Sequence, residues 1–343
     1  MKKLAKFWEK LPDRKVQCHL CPWRCTIAPD KTGVCRGRRN EGGELYSMIY
    51  GSIVSAAVDP IEKKPLYHFW PGSGSFSIAA PGCNFRCSHC QNWSISQTDV
   101  WETPTEEMTP ERVVELAKRY ECKGIAHTYT EPTIWTEYAM DVGKLAHSEG
   151  LYNVYVSNGY ITIEALKELQ PFLDAANVDV KAFTDDFYMK TCGVPSIGPV
   201  LETCEWMVKH GIHLETTYLI IPEKNDSPEE IRKFCKWEVE KLGPDVPTHF
   251  SRFHPQYKTT DRGSTPVKTL EMALKVANEE GLHYIYIGNV PGHEADDTRC
   301  HKCGELLIER QGFSITEYRL KDHQCPKCKA EIPIVGEYTP SKD

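Results

Sequence analysis

Between residues 74 and 288 the chain alternates short apolar runs with longer segments of helical periodicity. The strand-like runs are 76–80, 124–129, 152–157, 176–180, 214–221, 248–253 and 283–288. Helix-like runs separate them. One covers 110–122, with Thr109 as N-cap, Pro110 at the first helical position and apolar Val113, Val114, Leu116 and Ala117. Another, 228–242, opens at Ser227 with Glu230 three residues on, a capping box. Runs 200–210 and 270–280 close on Gly211 and Gly281. Strands separated by helices pair in parallel, so seven strands and about six crossovers predict a parallel α/β sheet. Periodicity alone allows an open doubly wound sheet or a partial barrel. Both gather ligands at the carboxyl ends of the strands.

The first strand-like run leads through Pro81-Gly82 into Cys83-Asn84-Phe85-Arg86-Cys87-Ser88-His89-Cys90. Three thiolates at this spacing can wrap one corner of an iron–sulfur cube, and no fourth cysteine follows nearby. A cube held by three cysteines leaves one iron open to another ligand. A structural zinc site instead wants four ligands.

Fifteen cysteines in 343 residues is a high and odd count. Clustered as they are, they predict metal sites in a reducing compartment rather than a disulfide framework. Besides the octet, Cys18, Cys21, Cys25 and Cys35 form one quartet, and Cys300, Cys303, Cys325 and Cys328 another. Cys122, Cys192, Cys204 and Cys235 stand alone in sequence and read as small buried hydrophobes. The first quartet, interleaved with Pro and Gly, suits a metal-stapled module holding zinc or a second iron–sulfur cluster. The last is a pair of CxxC knuckles around a strand-prone hairpin at 305–320, and predicts a zinc ribbon.

The flanks read as appendages, giving an N-terminal module over 1–70, a core over 71–294 and a C-terminal module over 295–343. A short helix is expected at 2–11, ended by Pro12. Arg36, Arg38 and Arg39 read as a solvated face, and the segment 59–65 as a proline-bounded linker. The net charge of −7 argues against a nucleic-acid partner. No apolar stretch approaches a membrane span, and the basic N-terminus lacks an apolar run behind it, so a cytoplasmic protein is expected.

Strand ends select further candidates: Glu131, Asn158, Lys181 and His254. Each has an ordinary structural reading as a helix start, a turn or a satisfied core histidine. Together with the octet they make a rim able to hold a zwitterionic, hydroxyl-bearing cofactor.

Cys83-x3-Cys87-x2-Cys90 after a strand resembles the signature of the radical S-adenosylmethionine enzymes. Cys-x-Leu-Cys-Pro at 18–22, Asp-Pro-Ile-Glu-Lys-Lys-Pro-Leu-Tyr-His-Phe at 59–69, Cys-Gln-Asn-Trp at 90–93 and Thr-Tyr-Thr-Glu-Pro-Thr at 128–133 are similar to one subgroup. So are Phe-His-Pro at 253–255, Gly-Asn-Val-Pro-Gly-His at 288–293 and the terminal knuckles. That subgroup is the AmmeMemoRadiSam-system radical SAM enzymes, relatives of the pyruvate formate-lyase activating enzyme. The resemblance implies a partial (β/α) TIM-like barrel with cysteine-rich N-terminal and C-terminal metal-binding modules. It implies a 4Fe-4S cluster on Cys83, Cys87 and Cys90, with S-adenosylmethionine on the open iron. The family's Gly-Gly-Glu motif falls at Tyr129-Thr130-Glu131, where the glutamate matches. Gln91, Asn158, the Asp-x-Lys pair Asp179 and Lys181, and His254 are carried over as cofactor-binding positions, as is His89, where an aromatic residue is usual.

The activity implied is reductive cleavage of S-adenosylmethionine to a deoxyadenosyl radical that abstracts hydrogen from a substrate. A low-potential donor such as ferredoxin or flavodoxin would supply the electron. The substrate would be a glycyl radical protein, with a Memo-type partner in view, or else a small molecule, lipid or nucleic acid. A zinc- and cluster-bearing scaffold without turnover is the alternative from another class.

Overall fold

The computed structural model describes residues 1–340. Its centre is an eight-stranded sheet: β1 Ser55–Pro60, β2 Gly74–Ala79, β3 Gly124–His127, β4 Tyr152–Ser157, β5 Ala175–Asp179, β6 His213–Ile220, β7 Thr248–Arg252 and β8 Ile285–Gly288. Strands β2 to β8 are parallel and lie side by side in chain order, while β1 pairs antiparallel with β2 at the edge. Six helices make the crossovers: α1 Pro110–Arg119, α2 Thr136–Ser148, α3 Ile163–Leu169, α4 Gly198–Lys209, α5 Pro228–Trp237 and α6 Val267–Glu280. A strand order that never reverses winds every crossover the same way, which right-handed connections turn into helices on one side. β8 does not pair with β2 or β1. The result is the partial barrel rather than the doubly wound sheet.

The helix ends follow the expected chemistry, with one exception. Thr109 accepts from Arg112 N at 3.3 Å, and Gly281 takes a left-handed φ of 97° at the end of α6. Ser227 caps α5 by accepting from Glu230 N at 3.2 Å. The reciprocal half of the capping box is not made. Glu230 instead accepts from Phe183 N at 2.7 Å and Tyr218 OH at 3.2 Å, and so gives a half-buried N–H of the β5–α4 loop its partner.

Three expectations for the N-terminal region are corrected. Residues 2–11 form no helix: Lys3–Leu4 pairs with Glu44–Ser47, Trp8–Lys10 with Val16–Cys18, and Phe7 between them has φ 58°. The supposed linker at 59–65 contributes the end of β1, and Asp59 there takes salt bridges from Lys63 at 2.7 Å and the fully buried Lys64 at 2.6 Å. Arg38 is no surface residue. It is buried and salt-bridged to buried Glu137 of α2 at 2.5 Å, while donating to Lys6 O at 2.9 Å. A planar, always-charged donor is the side chain best able to be buried against a carboxylate.

Towards the C-terminus Thr298–Arg299, Leu306–Gln311 and Ser314–Tyr318 form a three-stranded antiparallel ribbon. Its Leu307, Ile308, Leu320, Cys325, Ile332 and Ile334 form a hydrophobic cluster with Tyr67, Tyr284 and Tyr286. The ribbon therefore packs beside β8, the edge strand that pairs only with β7.

Candidate active site

β2 delivers the chain to the octet through Gly82, whose φ of 98° a side chain would strain. A Cβ there would also lie 3.0 Å from Val100 and 3.2 Å from the Cys35 carbonyl. The loop is then clamped along its backbone. Arg86 N donates to Cys192 O at 2.8 Å, Ser88 N to Thr191 O at 2.9 Å, and Lys258 N to Ser88 O at 2.9 Å. Cys192 closes a π-helical turn, Tyr188–Cys192, of the kind that recurs at functional sites.

The three thiols open into one cavity of about 450 Å³. Six of the seven predicted cofactor residues line it as well: His89, Gln91, Glu131, Asn158, Asp179 and Lys181. His254 does not. It is exposed, bonded to Ser264 Oγ at 2.9 Å, and lines a neighbouring cavity of about 680 Å³. The two cavities adjoin, sharing Lys63, Gln91, Asn289 and Phe313 in their walls.

Donors converge on the sulfurs. Phe85 N donates to Cys83 Sγ at 3.3 Å, Asn158 Nδ2 approaches it at 3.7 Å, and Ser96 Oγ is 3.1 Å from Cys90 Sγ. Burial raises the Cys83 and Cys90 thiols; at Cys87 a hydrogen bond with Cys192 comes first and burial second. Such thiols become thiolates only against positive charge. Lys181 supplies some. Burial alone would lower its pKa, but Asp179 at 2.8 Å and the thiols of Cys87 and Cys192 hold it well above the usual lysine value. Burial and then Lys181 push His89 down to about 3, so its imidazole is neutral, and its Nδ1 has no protein partner. N–H donors aimed at sulfur, thiols in need of a cation and an unpaired buried ring nitrogen fit a cationic cluster carrying a polar ligand.

Glu131 is tied down more than its motif suggests. One carboxylate oxygen accepts from Thr133 N at 2.9 Å and Ser157 Oγ at 2.7 Å, the other from Asn158 N at 2.8 Å. It caps the short helix Pro132–Trp135, as the structural reading had it, while also facing the cavity. Asn158 likewise spends its amide on Asn84 Oδ1 at 2.9 Å and Tyr160 N at 2.9 Å. These two residues fix the shape of the rim.

Two features escaped the sequence. Cys192, solitary in the chain, lies in space against Cys87; nothing in its spacing foretold that. Tyr129, standing where the family has glycine, adopts the glycine-like φ of 66°. Its hydroxyl bonds Asp59, and Lys64 lies 4.5 Å over its ring, so the Asp59–Lys64 network holds the strained backbone. That motif was visible at 59–69, but its partner was not.

The model of the radical SAM superfamily matches residues 77–235, the stretch from the end of β2 to α5. The chain belongs to that superfamily, whose members are enzymes using a 4Fe-4S cluster and S-adenosylmethionine. Within it, the chain is 50% identical to the uncharacterized protein MJ0808 of Methanocaldococcus jannaschii, over 96% of this chain and 99% of the other. A second protein of that organism, carried provisionally by name as a glycyl-radical enzyme activating enzyme, is 25% identical over 48% of this chain and 63% of its own. The crystal structure of a radical SAM methyltransferase from Sphaerobacter thermophilus shares the fold at 14% identity, with TM-score 0.51 over 89% of this chain and 81% of that one. Among the described residues no helix is long and apolar enough to cross a membrane.

Proposed function

We propose that the chain is a radical enzyme of the activating-enzyme-like, AmmeMemoRadiSam-system kind. Cys83, Cys87 and Cys90 hold a 4Fe-4S cluster, and His89, Gln91, Glu131, Asn158, Asp179 and Lys181 receive S-adenosylmethionine. The observation that carries this reading is the single cavity in which three thiols and those six side chains meet. When bound, cluster and cofactor together supply a one-electron cleavage that yields a deoxyadenosyl radical. The protein's part is positional. Lys181 holds positive charge beside the thiols, with Asp179 keeping it in place. Neutral His89 presents a flat ring and a free nitrogen. Asn158 and Glu131 stiffen the wall on the β4 side. A buried, preorganised wall keeps water from the reacting centre.

Activation of a glycyl radical protein is supported by the name of the partial relative in M. jannaschii. Action on a small molecule, or on a narrow peptide segment, is favoured by the adjoining 680 Å³ cavity, which meets the cofactor cavity and holds His254. The electron comes from a ferredoxin- or flavodoxin-like donor, and a Memo-type protein is a candidate partner. The organisation is three-part, with a C-terminal zinc ribbon: Cys300 and Cys328 Sγ stand 3.5 Å apart and Cys303 and Cys325 Sγ 3.7 Å, close to the roughly 3.8 Å edge of a tetrahedral zinc thiolate.

Anaerobic reconstitution with iron and sulfide tests the main reading. We expect reductive cleavage of S-adenosylmethionine to deoxyadenosine and methionine, abolished in Cys87→Ala with zinc content unchanged. Absence of cleavage with a fully reduced cluster would overturn it in favour of the scaffold.

A further inference from the structure

Three cysteine groups can be compared within one molecule. Among the described residues, only Cys300, Cys303, Cys325 and Cys328 bring three or more metal-ligating atoms within 4.8 Å of one another. That set is closed to the size of one zinc ion. The octet is not closed in this way, as expected of thiolates that bind different iron atoms of one cube.

The N-terminal quartet belongs with the octet. Its four cysteines belong to one small module: Cys18 N donates to Cys25 O at 3.0 Å, Arg24 N to Cys21 O at 3.0 Å, and a Cβ on Gly33, two residues before Cys35, would lie 3.6 Å from Cys25 Sγ. Yet no three of their Sγ atoms come within 4.8 Å. Four thiols that converge without closing match a polynuclear group, in which each sulfur takes its own metal atom or shares one with a single neighbour. A lone zinc would draw them into contact.

Three of the quartet's cysteines also share the octet's surroundings, while Cys35 lies in the neighbouring cluster under β2 and β3. Cys18, Cys21 and Cys25 pack on the same hydrophobic core as Cys83, Cys87 and Cys90, whereas the C-terminal quartet has a core of its own. Trp23, inside the quartet, donates to Asn84 O at 2.9 Å. Arg86, inside the octet, donates to Cys83 O at 2.7 Å and to Val34 O next to Cys35. A single guanidinium thus touches both cysteine loops.

We propose that Cys18, Cys21, Cys25 and Cys35 hold a second iron–sulfur cluster, separated from the first by the Arg86 side chain. The inference rests on the octet being the first cluster, because the octet sets the scale of an open site.

The test uses the full chain, produced with iron and sulfide and purified without oxygen. The triple variant C83A/C87A/C90A should keep about two or four iron atoms per chain with equal sulfide, the two counts marking a 2Fe-2S or a 4Fe-4S group, together with about one zinc. The quartet variant C18A/C21A/C25A/C35A should lose that iron while retaining the octet's. Two zinc and no iron in the triple variant would overturn the proposal. If either variant fails to fold, Mössbauer and metal analysis of the unaltered chain still decides. About six or eight iron with one zinc supports two clusters, and about four iron with two zinc refutes them. Failure of the first-cluster reading has a different mark: a quartet variant that folds but holds no iron.

Discussion

Each end of the chain carries four cysteines, and each is fastened to the core by one buried arginine, yet the two modules are built in opposite ways. At the C-terminus the sulfurs touch and the anchoring arginine's guanidinium bonds only neutral acceptors. Arg310 donates to the carbonyls of Asp296 and Tyr67, both at 3.1 Å, and to Thr298 Oγ1 at 2.8 Å, with its guanidinium 4.2 Å from the Tyr67 ring centre. At the N-terminus no three sulfurs come within 4.8 Å of one another, and the anchor is the Arg38–Glu137 ion pair, buried on both sides. A module stapled by the proposed zinc would need only to be covered. One whose thiols lie beside the reactive loop must be held at a fixed position, and a bidirectional charge pair does that more specifically than packing.

Metal removal should separate the modules most strongly. A structural zinc site contributes on the order of 10 kcal/mol to the fold of its own module. A zinc chelator should therefore expose the segment 298–334 to protease while leaving the iron content and the protection of residues 1–50 unchanged. Zinc released from both modules in equal amounts would erase the distinction between them.

The two arginines come next. Arg38→Ala strands Glu137 without its partner in the interior and should cost roughly 3–5 kcal/mol in denaturant unfolding. Arg310→Ala removes hydrogen bonds to neutral acceptors and a ring contact, which argues for about 2 kcal/mol. Equal losses would show that the ion pair has no special role.

Acid should then loosen the attachment of the C-terminal ribbon through His68. Burial pushes His68 down to about 3, and its ring joins Tyr286 OH at 2.6 Å to Pro333 O at 3.3 Å, with Glu215, His213 and Arg310 as its charged neighbours. An unfolded histidine titrates near 6.5. Between pH 6.5 and 3 the unfolded chain binds a proton that the folded chain refuses, so stability falls as pH falls through 6.5. The slope approaches about 1.4 kcal/mol per unit, or roughly 2 kcal/mol by pH 5. His68→Gln should flatten the acid limb by that amount, read from hydrogen exchange in the ribbon. His89 and His127, with pKa values of about 3 and about 4, add acid sensitivity in the core that this variant leaves in place.

These contrasts also mark what the sequence could say. The crossover core was legible because each strand and helix is specified locally: an apolar run, Thr109 or Ser227 at a helix start, Gly281 at an end. Cluster spacing was legible for the same reason, since Cys83, Cys87 and Cys90 lie within one loop. Illegible were the residues whose meaning lies far away in the chain. Arg38 looks like a surface arginine until Glu137, ninety-nine positions on, is brought against it. Asp59 looks like part of a linker until Tyr129 needs its carboxylate. Cys192 looks solitary until Cys87 arrives. Within 2–11, an apparently helical composition was overridden by pairing with strands at 16–18 and 44–47.

The smallest effects concern what each module contributes directly at the cofactor cavity. The C-terminal ribbon reaches it with Phe313, at the tip of its hairpin, which is 47% exposed and lines both adjoining cavities. The N-terminal module reaches the octet with Trp23, through its one hydrogen bond to Asn84 O. Trp23→Phe should cost about 1 kcal/mol, because it removes one bond while leaving the ring packing largely intact. It should also shift the cluster's absorption or potential, since it frees the carbonyl of a residue flanked by the proposed ligand Cys83. Phe313→Ala should leave stability within about 0.5 kcal/mol, as an exposed position does, and leave the cluster's spectrum unaltered. Its effect should appear instead as faster uncoupled production of deoxyadenosine, because a ring that walls both cavities no longer screens the site from water. If Phe313→Ala shifted the cluster spectrum and Trp23→Phe did not, the assignment of the N-terminal module to the metal and the C-terminal module to access would have to be exchanged.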